Sequence, residues 1–206
     1  MFGFDPDMIF RIPALLITLT IHEYAHARAA VSLGDPTPRF LGRLTLNPIP
    51  HLDPIGLIML WLFKFGWAKP VPVNPNNFLN PRKGMMVVAL AGPVSNILLA
   101  LVTAIAITLL SSFRLGGEEV MKMLRWIYIY NIMFAIFNLL PIPPLDGGKV
   151  VASLLPPRYA HKYESIEPYG TWILMGLVWI GVIGVVIYPL QVFLSRAISL
   201  VVRTIF

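Results

Sequence analysis

Three runs of this sequence carry no charged residue: 85–113, 126–145 and 169–195. Each is as long as the roughly 20 residues that cross a hydrocarbon core about 30 Å thick. In lipid, every backbone N–H and C=O must find its partner within the protein, so such runs are read as helices. Hydrophobic residues make up 57% of the chain and charged ones only 13%, with a mean hydropathy of +0.74. A soluble domain carries about 25% charged residues. The expected fold class is an all-α polytopic membrane protein with about four to six transmembrane helices.

A fourth apolar stretch, Met8 to Leu33, is interrupted by His22-Glu23-Tyr24-Ala25-His26. Histidines four residues apart lie one turn apart on the same helix face, so both imidazoles can reach one zinc ion. Glu23, one step round, can stand beside that ion as the general base for the water that it activates. The pattern has only three fixed positions and is weak alone. Its setting strengthens it, because ionisable groups at bilayer depth cost about 2.5–3.5 kcal/mol each and are functional by default. The competing reading is two histidines and a glutamate that merely hydrogen-bond to neighbouring helices. With Arg11 and Pro13 inside it, the stretch is a poor match to a cleavable signal.

There is no cysteine, which excludes disulfides, thiolate ligands and a cysteine nucleophile, so nitrogen and oxygen must hold any metal. The net charge of +6 does not point to nucleic acid, because the basic residues stand singly or in pairs between apolar blocks and read as topology signals. Arg39, Arg43, Lys64, Lys69, Arg82 and Lys83 lie in 34–83, and Lys149, Arg158 and Lys162 in 146–168. The turn 114–119 holds Arg114 alone. This places the N-terminus outside and the 34–83 region, with the site, towards the cytoplasm.

Between these runs the punctuation is distinctive. Gly34-Asp35-Pro36-Thr37-Pro38 ends the first helix. Prolines at 48, 50, 54, 70, 72, 75 and 81 forbid a continuous helix through most of 39–83. Within that region Ile55 to Phe63 is apolar but too short to span, which suggests a re-entrant piece. Val71, Val73 and Asn74 belong to a segment, about Ala68 to Asn77, expected to be extended, with a short β-hairpin as one form of it. Non-helical backbone at membrane depth must be buried or line a wet cavity, so this region is expected to line the entrance to the site. The run 126–145 is expected to close at Asp146-Gly147-Gly148. In 169–195, Gly176, Gly181 and Gly184 are expected to make close helix contacts, and Pro189 to kink or split the run. Residues 190–206 read as a short final span or an interfacial helix. The whole, 1–206, reads as one membrane domain, with a core of about 8–148 and C-terminal helices at about 169–206.

His51 and Asp53, between Pro50 and Pro54, read as caps of the re-entrant piece, in preference to a second metal or proton-relay pair. His161 is expected in solvent. Trp61, Trp67, Trp126, Trp172 and Trp179 fit interfacial belts and packing.

A catalytic zinc needs a third protein ligand and an open position. The carboxylates besides Glu23 are Asp5, Asp7, Asp35, Asp53, Glu118, Glu119, Asp146, Glu164 and Glu167. Asp146 alone closes a long apolar run at the depth of the histidines, although an aspartate before two glycines is also a common turn residue.

Taken together, His22-Glu23-Tyr24-Ala25-His26, Gly92-Pro93-Val94-Ser95-Asn96 and the stretch Asn138-Leu139-Leu140-Pro141-Ile142-Pro143-Pro144-Leu145-Asp146-Gly147 resemble the site-2 protease family of intramembrane zinc metalloproteases. The stretch Gly66-Trp67-Ala68-Lys69-Pro70-Val71-Pro72-Val73-Asn74-Pro75 resembles its compact prokaryotic branch, without PDZ or CBS domains. The resemblance implies one zinc per chain held by His22, His26 and Asp146, with Glu23 as general base. It also implies Asn96 and Asn138 as candidates for contact with substrate or oxyanion, a prokaryotic cell membrane, and transmembrane proteins as substrates. An unwound substrate would add as a strand along the segment carrying Val71, Val73 and Asn74. The alternatives are a catalytically inactive membrane chaperone and a metal-binding or transport protein of the same fold. A transporter would line several helices with polar or acidic groups, and the runs 85–113 and 126–145 are read as offering no such path.

Overall fold

The computed structural model describes residues 7–63 and 66–206. Asp5, Lys64 and the side chain of Trp61 lie outside the described residues. Among those described, the chain forms nine α-helices and no β-strand: α1 (Met8–Ser32), α2 (Thr37–Phe40), α3 (Pro54–Phe63), α4 (Pro81–Ser112), α5 (Glu118–Asn138), α6 (Asp146–Leu154), α7 (Pro157–Glu164), α8 (Glu167–Trp179) and α9 (Val182–Ile205). α1, α4, α5 and α9 are long and apolar enough to cross a membrane. The protein is an all-α polytopic membrane protein.

α1, α4 and α5 pack on one another and form the core of the site. On α1 the buried face runs Ala14, Thr18, His22, His26, Ala30, every fourth residue. On α4 it runs Gly84, Val88, Gly92, Asn96, Ala100 with the same spacing. These rows are small and polar because the hydrophobic effect does not drive helices together in lipid. Close backbone approach and hydrogen bonds do so instead. The larger apolar core lies where α9 and α8 cover α4 and α5, around Ala100, Ile132, Ile136, Leu174, Ile187 and Ile198.

The proline-rich region folds back on itself. α3 has ten residues, about 15 Å of helix, half of a span. Asp53 caps it by accepting the N–H groups of Ile55 and Gly56 at 2.8 and 2.9 Å. The chain then returns to pair Ala68 with Leu52 in a single antiparallel bridge, with Lys69 N–H on the His51 carbonyl at 2.9 Å. The segment is therefore re-entrant in shape, and its pairing stops at one bridge instead of growing into a hairpin. A short 3-10 turn over Pro75–Asn77 and an Asn80 cap lead into α4.

Several expectations are corrected. α5 ends at Asn138, because Pro141, Pro143 and Pro144 cannot continue a helix. Asp146 therefore opens α6 and does not close the preceding span. In the last apolar stretch the break falls at Gly181, which takes a left-handed φ of +79°, while Pro189 lies inside a continuous α9. Residues 190–206 are thus most of one long helix. Among the described residues no atom lies where a methyl group on Gly176, Gly181 or Gly184 would touch it, so these glycines mediate no close helix contact there.

Candidate metal centre

α1 presents His22 and His26 on the face that meets α4, both buried, with Glu23 beside them and also buried. The third element is the start of α6. Gly147 and Gly148 let its first turn settle against the backbone of 139–143, where a Cβ at either position would collide with main-chain atoms. Gly170 of α8 supports the same loop from behind, against the Pro143 carbonyl, and Tyr163 donates its hydroxyl hydrogen to Pro141 O at 2.8 Å. Asp146 is thereby carried to the two histidines, with His22 Nε2 and His26 Nε2 at 3.2 and 3.1 Å from its Oδ2. The two Nε2 atoms are 3.0 Å apart.

The outer nitrogens decide what this triangle can do. His22 Nδ1–H donates to Asn96 Oδ1 at 2.6 Å, and His26 Nδ1–H donates to the Val88 carbonyl at 2.7 Å. A carbonyl oxygen can only accept, so each Nδ1 holds a proton, and each imidazole in its neutral form presents its Nε2 lone pair. In that neutral form two nitrogen lone pairs and a carboxylate oxygen converge in one buried space. Asp146 Oδ2 makes no hydrogen bond there. A cation satisfies all three, and donors about 2.0–2.1 Å from a tetrahedral zinc stand about 3.3 Å apart, close to the edges seen. The residues fit zinc, and Asn96 Oδ1 and the Val88 carbonyl already orient the two imidazoles towards it.

α4 is shaped around this group. A Cβ on Gly92 would collide with both imidazoles. Residues 88, 92 and 96, one row on α4, therefore supply an acceptor for His26, clearance for both rings, and an acceptor for His22. Phe134 of α5 stands edge-on to His22 with ring centroids 6.2 Å apart.

Other predicted residues are placed as follows. Asn96 is fully buried, and its amide donates to Asn131 Oδ1 at 2.8 Å and to the Thr18 carbonyl at 3.3 Å. In this arrangement both amide hydrogens are engaged away from the triangle. Asn138 is half-buried and donates to the Phe134 carbonyl of its own helix at 3.1 Å. Val71 and Val73 are half-buried and alternate with exposed Pro72 and Asn74. Val73 packs against the small cluster of Ala30, Phe78 and Val88, between α1 and α4. His51 Nε2–H donates to the Thr45 carbonyl while Asp53 caps α3, so the two do not form a pair.

Two groups escaped the sequence reading. Arg43, counted there as a topology charge, is buried and holds the carbonyls of Lys69 and Pro70. Burial pulls its guanidinium below the usual range, and the attraction of Glu23 opposes that shift. Asn131 is fully buried in the centre of α5, so the run 126–145 does carry an interior polar group, contrary to expectation. Its signal was visible as an amide in the middle of an apolar run, but its partner was not.

Fold and site define a polytopic helical membrane protein with a buried centre of two histidines and one aspartate able to hold a metal. Residues 114–181 match the profile of peptidase family M50. A Bacillus subtilis protein named "Putative zinc metalloprotease YwhC" is 42% identical over 171 residues, covering 79% of this chain and 77% of the relative. Rip2 of Mycobacterium tuberculosis, with the same printed description, is 32% identical over 156 residues, covering 71% of this chain and 58% of its own length. The zinc metalloprotease MJ0392 of Methanocaldococcus jannaschii is 21% identical over 147 residues, 71% of this chain and 34% of that protein. No solved structure matches. The chain belongs to peptidase family M50, the site-2 protease family.

Proposed function

We propose that this chain is an intramembrane zinc endopeptidase that hydrolyses peptide bonds in or near the transmembrane segments of other membrane proteins. His22, His26 and Asp146 hold the ion, and Glu23 is the base. The observation that carries the reading is the convergence of two oriented imidazole lone pairs and an unbonded carboxylate oxygen, with a buried glutamate on the same helical turn.

A peptide bond inside a transmembrane helix is shielded, because its carbonyl and amide are already bonded to the helix and water is scarce. The unwound substrate needs replacement partners, and the segment after Ala68 can offer them. It is fixed at one end by Arg43 on Lys69 and Pro70, and at the other by Asp35, which accepts Asn74 N–H at 2.8 Å and Asn77 Nδ2–H at 2.7 Å. Between these anchors the N–H groups of Val71 and Val73 have no backbone partner among the described residues. An extended substrate adds there as a strand, with side chains alternating as Val71 to Asn74 do. When bound, zinc supplies Lewis-acid chemistry, acidifying water and polarising a carbonyl. Glu23 takes a proton from the attacking water on a carboxylate oxygen and returns it to the leaving amide nitrogen. The distribution of lysine and arginine supports a site towards the cytoplasmic side, and the family resemblance supports a prokaryotic cell membrane.

The test is incubation of purified, zinc-loaded protein in liposomes with a panel of single-span membrane proteins. Wild type is expected to cut at least one of them, and Glu23→Gln to cut at least about 100-fold more slowly. Absence of any cleavage by wild type, or equal cleavage by Glu23→Gln, rejects the proposal in favour of a non-hydrolytic member of the family.

A further inference from the structure

We infer that Thr18 and Asn131 are positioning residues that fix the tautomer of His22 through Asn96, and so aim its Nε2 lone pair at the metal position. The purpose of this relay rests on the metal reading above; its existence rests on hydrogen-bond geometry alone.

The network crosses three helices. Asn131 of α5 donates from Nδ2 to the Ile127 carbonyl at 2.8 Å and to Thr18 Oγ1 of α1 at 2.9 Å. Asn96 of α4 donates to Asn131 Oδ1 at 2.8 Å and to the Thr18 carbonyl at 3.3 Å. Asn96 Oδ1 then receives His22 Nδ1–H at 2.6 Å. Thr18, Asn96 and Asn131 are all completely buried, so water does not complete these bonds.

The direction of every link is determined, which is unusual for amides and imidazoles that could each face either way. The Ile127 carbonyl can only accept, so Asn131 must turn its NH2 towards it and its oxygen towards Asn96. Asn96 must answer with its own NH2, and the longer bond to the Thr18 carbonyl, 3.3 Å, favours the same orientation. That leaves only Asn96 Oδ1 for His22, which must then carry its proton on Nδ1. The Ile127 carbonyl on α5, relayed through Asn131 and Asn96, therefore sets which nitrogen of an imidazole on α1 carries the proton in its neutral form. A merely structural hydrogen-bond cluster would hold the helices together in either amide orientation. His26 needs no such relay, because the Val88 carbonyl fixes it directly.

Thr18 sits one turn before His22 on the same face and binds both amides, so it registers α1 against α4 and α5 at the level of the site. An isosteric Thr18→Val retains the volume and removes the hydroxyl acceptor. Asn131 is then held by the Ile127 carbonyl alone and is free to swing its oxygen away from Asn96, which keeps only the 3.3 Å bond to the Thr18 carbonyl.

The chain has four histidines, which makes selective 15N labelling readable. In the metal-free full-length protein, two-bond 1H–15N spectra should show His22 with its proton on Nδ1 in wild type and in Thr18→Ser. In Thr18→Val and in Asn131→Leu, His22 should become a tautomer mixture weighted towards the Nε2–H form. Competition with a chelator should show zinc affinity lowered about 10–100-fold in Thr18→Val and Asn131→Leu, and near wild type in Thr18→Ser. An unchanged tautomer and unchanged zinc affinity in Thr18→Val overturn the inference. If Asn131→Leu fails to fold, the Thr18→Val and Thr18→Ser pair decides. If wild type binds no zinc, the metal reading fails, while the tautomer spectra still decide the relay.

Discussion

Gly92 and Asp35 show how single residues serve this site from opposite directions. Gly92 serves by having no side chain, since a methyl group there would occupy the space of both imidazoles. Gly92→Ala is expected to leave the helices assembled but lower zinc affinity by at least about 100-fold, read by chelator competition. Asp35 serves by accepting hydrogen bonds. It is completely buried, which alone would raise its carboxyl pKa, but bonds from the Thr37 hydroxyl, the Asn74 amide, the Asn77 side chain and the Thr37 amide outweigh burial and hold it below the usual range. A carboxyl depressed in the folded state stabilises the fold above its unfolded pKa of about 3.9, and that contribution fades as pH falls through the lower folded value. Asp35→Asn should therefore destabilise the protein by about 1–3 kcal/mol at pH 7, with the difference in melting temperature from wild type narrowing below about pH 4.

At the scale of elements, the loop 139–145 and α6 carry the third ligand, and their placement depends on distant glycines. Gly170→Ala on α8 should push the Pro143 carbonyl away, shift Asp146 and weaken zinc binding, although residue 170 touches no ligand. Gly176→Ala, on the same helix with open space around it, should bind zinc as wild type does, and the two measured side by side separate support of the loop from general stability. Elements were legible in the sequence where one physical rule dominated. Runs without charge gave α4 and the body of α5, an apolar stretch gave α1, and the i, i+4 spacing put His22 and His26 on one face. They were illegible where two rules competed. Pro189 suggested a break, but proline is tolerated inside a membrane helix and α9 runs on through it, whereas Gly181 could enter the left-handed region that ended the helix. Glycine spacing in α8 and α9 suggested close packing, yet no helix lies against that face. Asn131 was visible as a residue, but its role depends on which face of α5 meets α1 and α4, and that is set by the crossing of three helices.

For the whole molecule, the account requires a centre built where α1, α4 and the start of α6 meet, with the proline-rich segment on the same side of the membrane. Because the chain contains no cysteine, single cysteines can map that sidedness without background. In sealed vesicles of known orientation, Asn76→Cys should react with an impermeant thiol reagent from the cytoplasmic face and Gly117→Cys from the opposite face. Removal of zinc should also be felt by the whole fold, because it leaves the three converging donors without a partner. At zinc concentrations about 100 times its dissociation constant, binding adds about 2.7 kcal/mol of stability, so a chelator should lower the melting temperature of wild type and leave that of Asp146→Ala unchanged. The most direct test of the central claim is the zinc content of purified protein, measured by elemental mass spectrometry for wild type, His22→Ala with His26→Ala, and Asp146→Ala. The account predicts one zinc per chain in wild type, none in the double-histidine variant and a marked loss in Asp146→Ala. Zinc-free wild type, or zinc retained in full without both histidines, would contradict it.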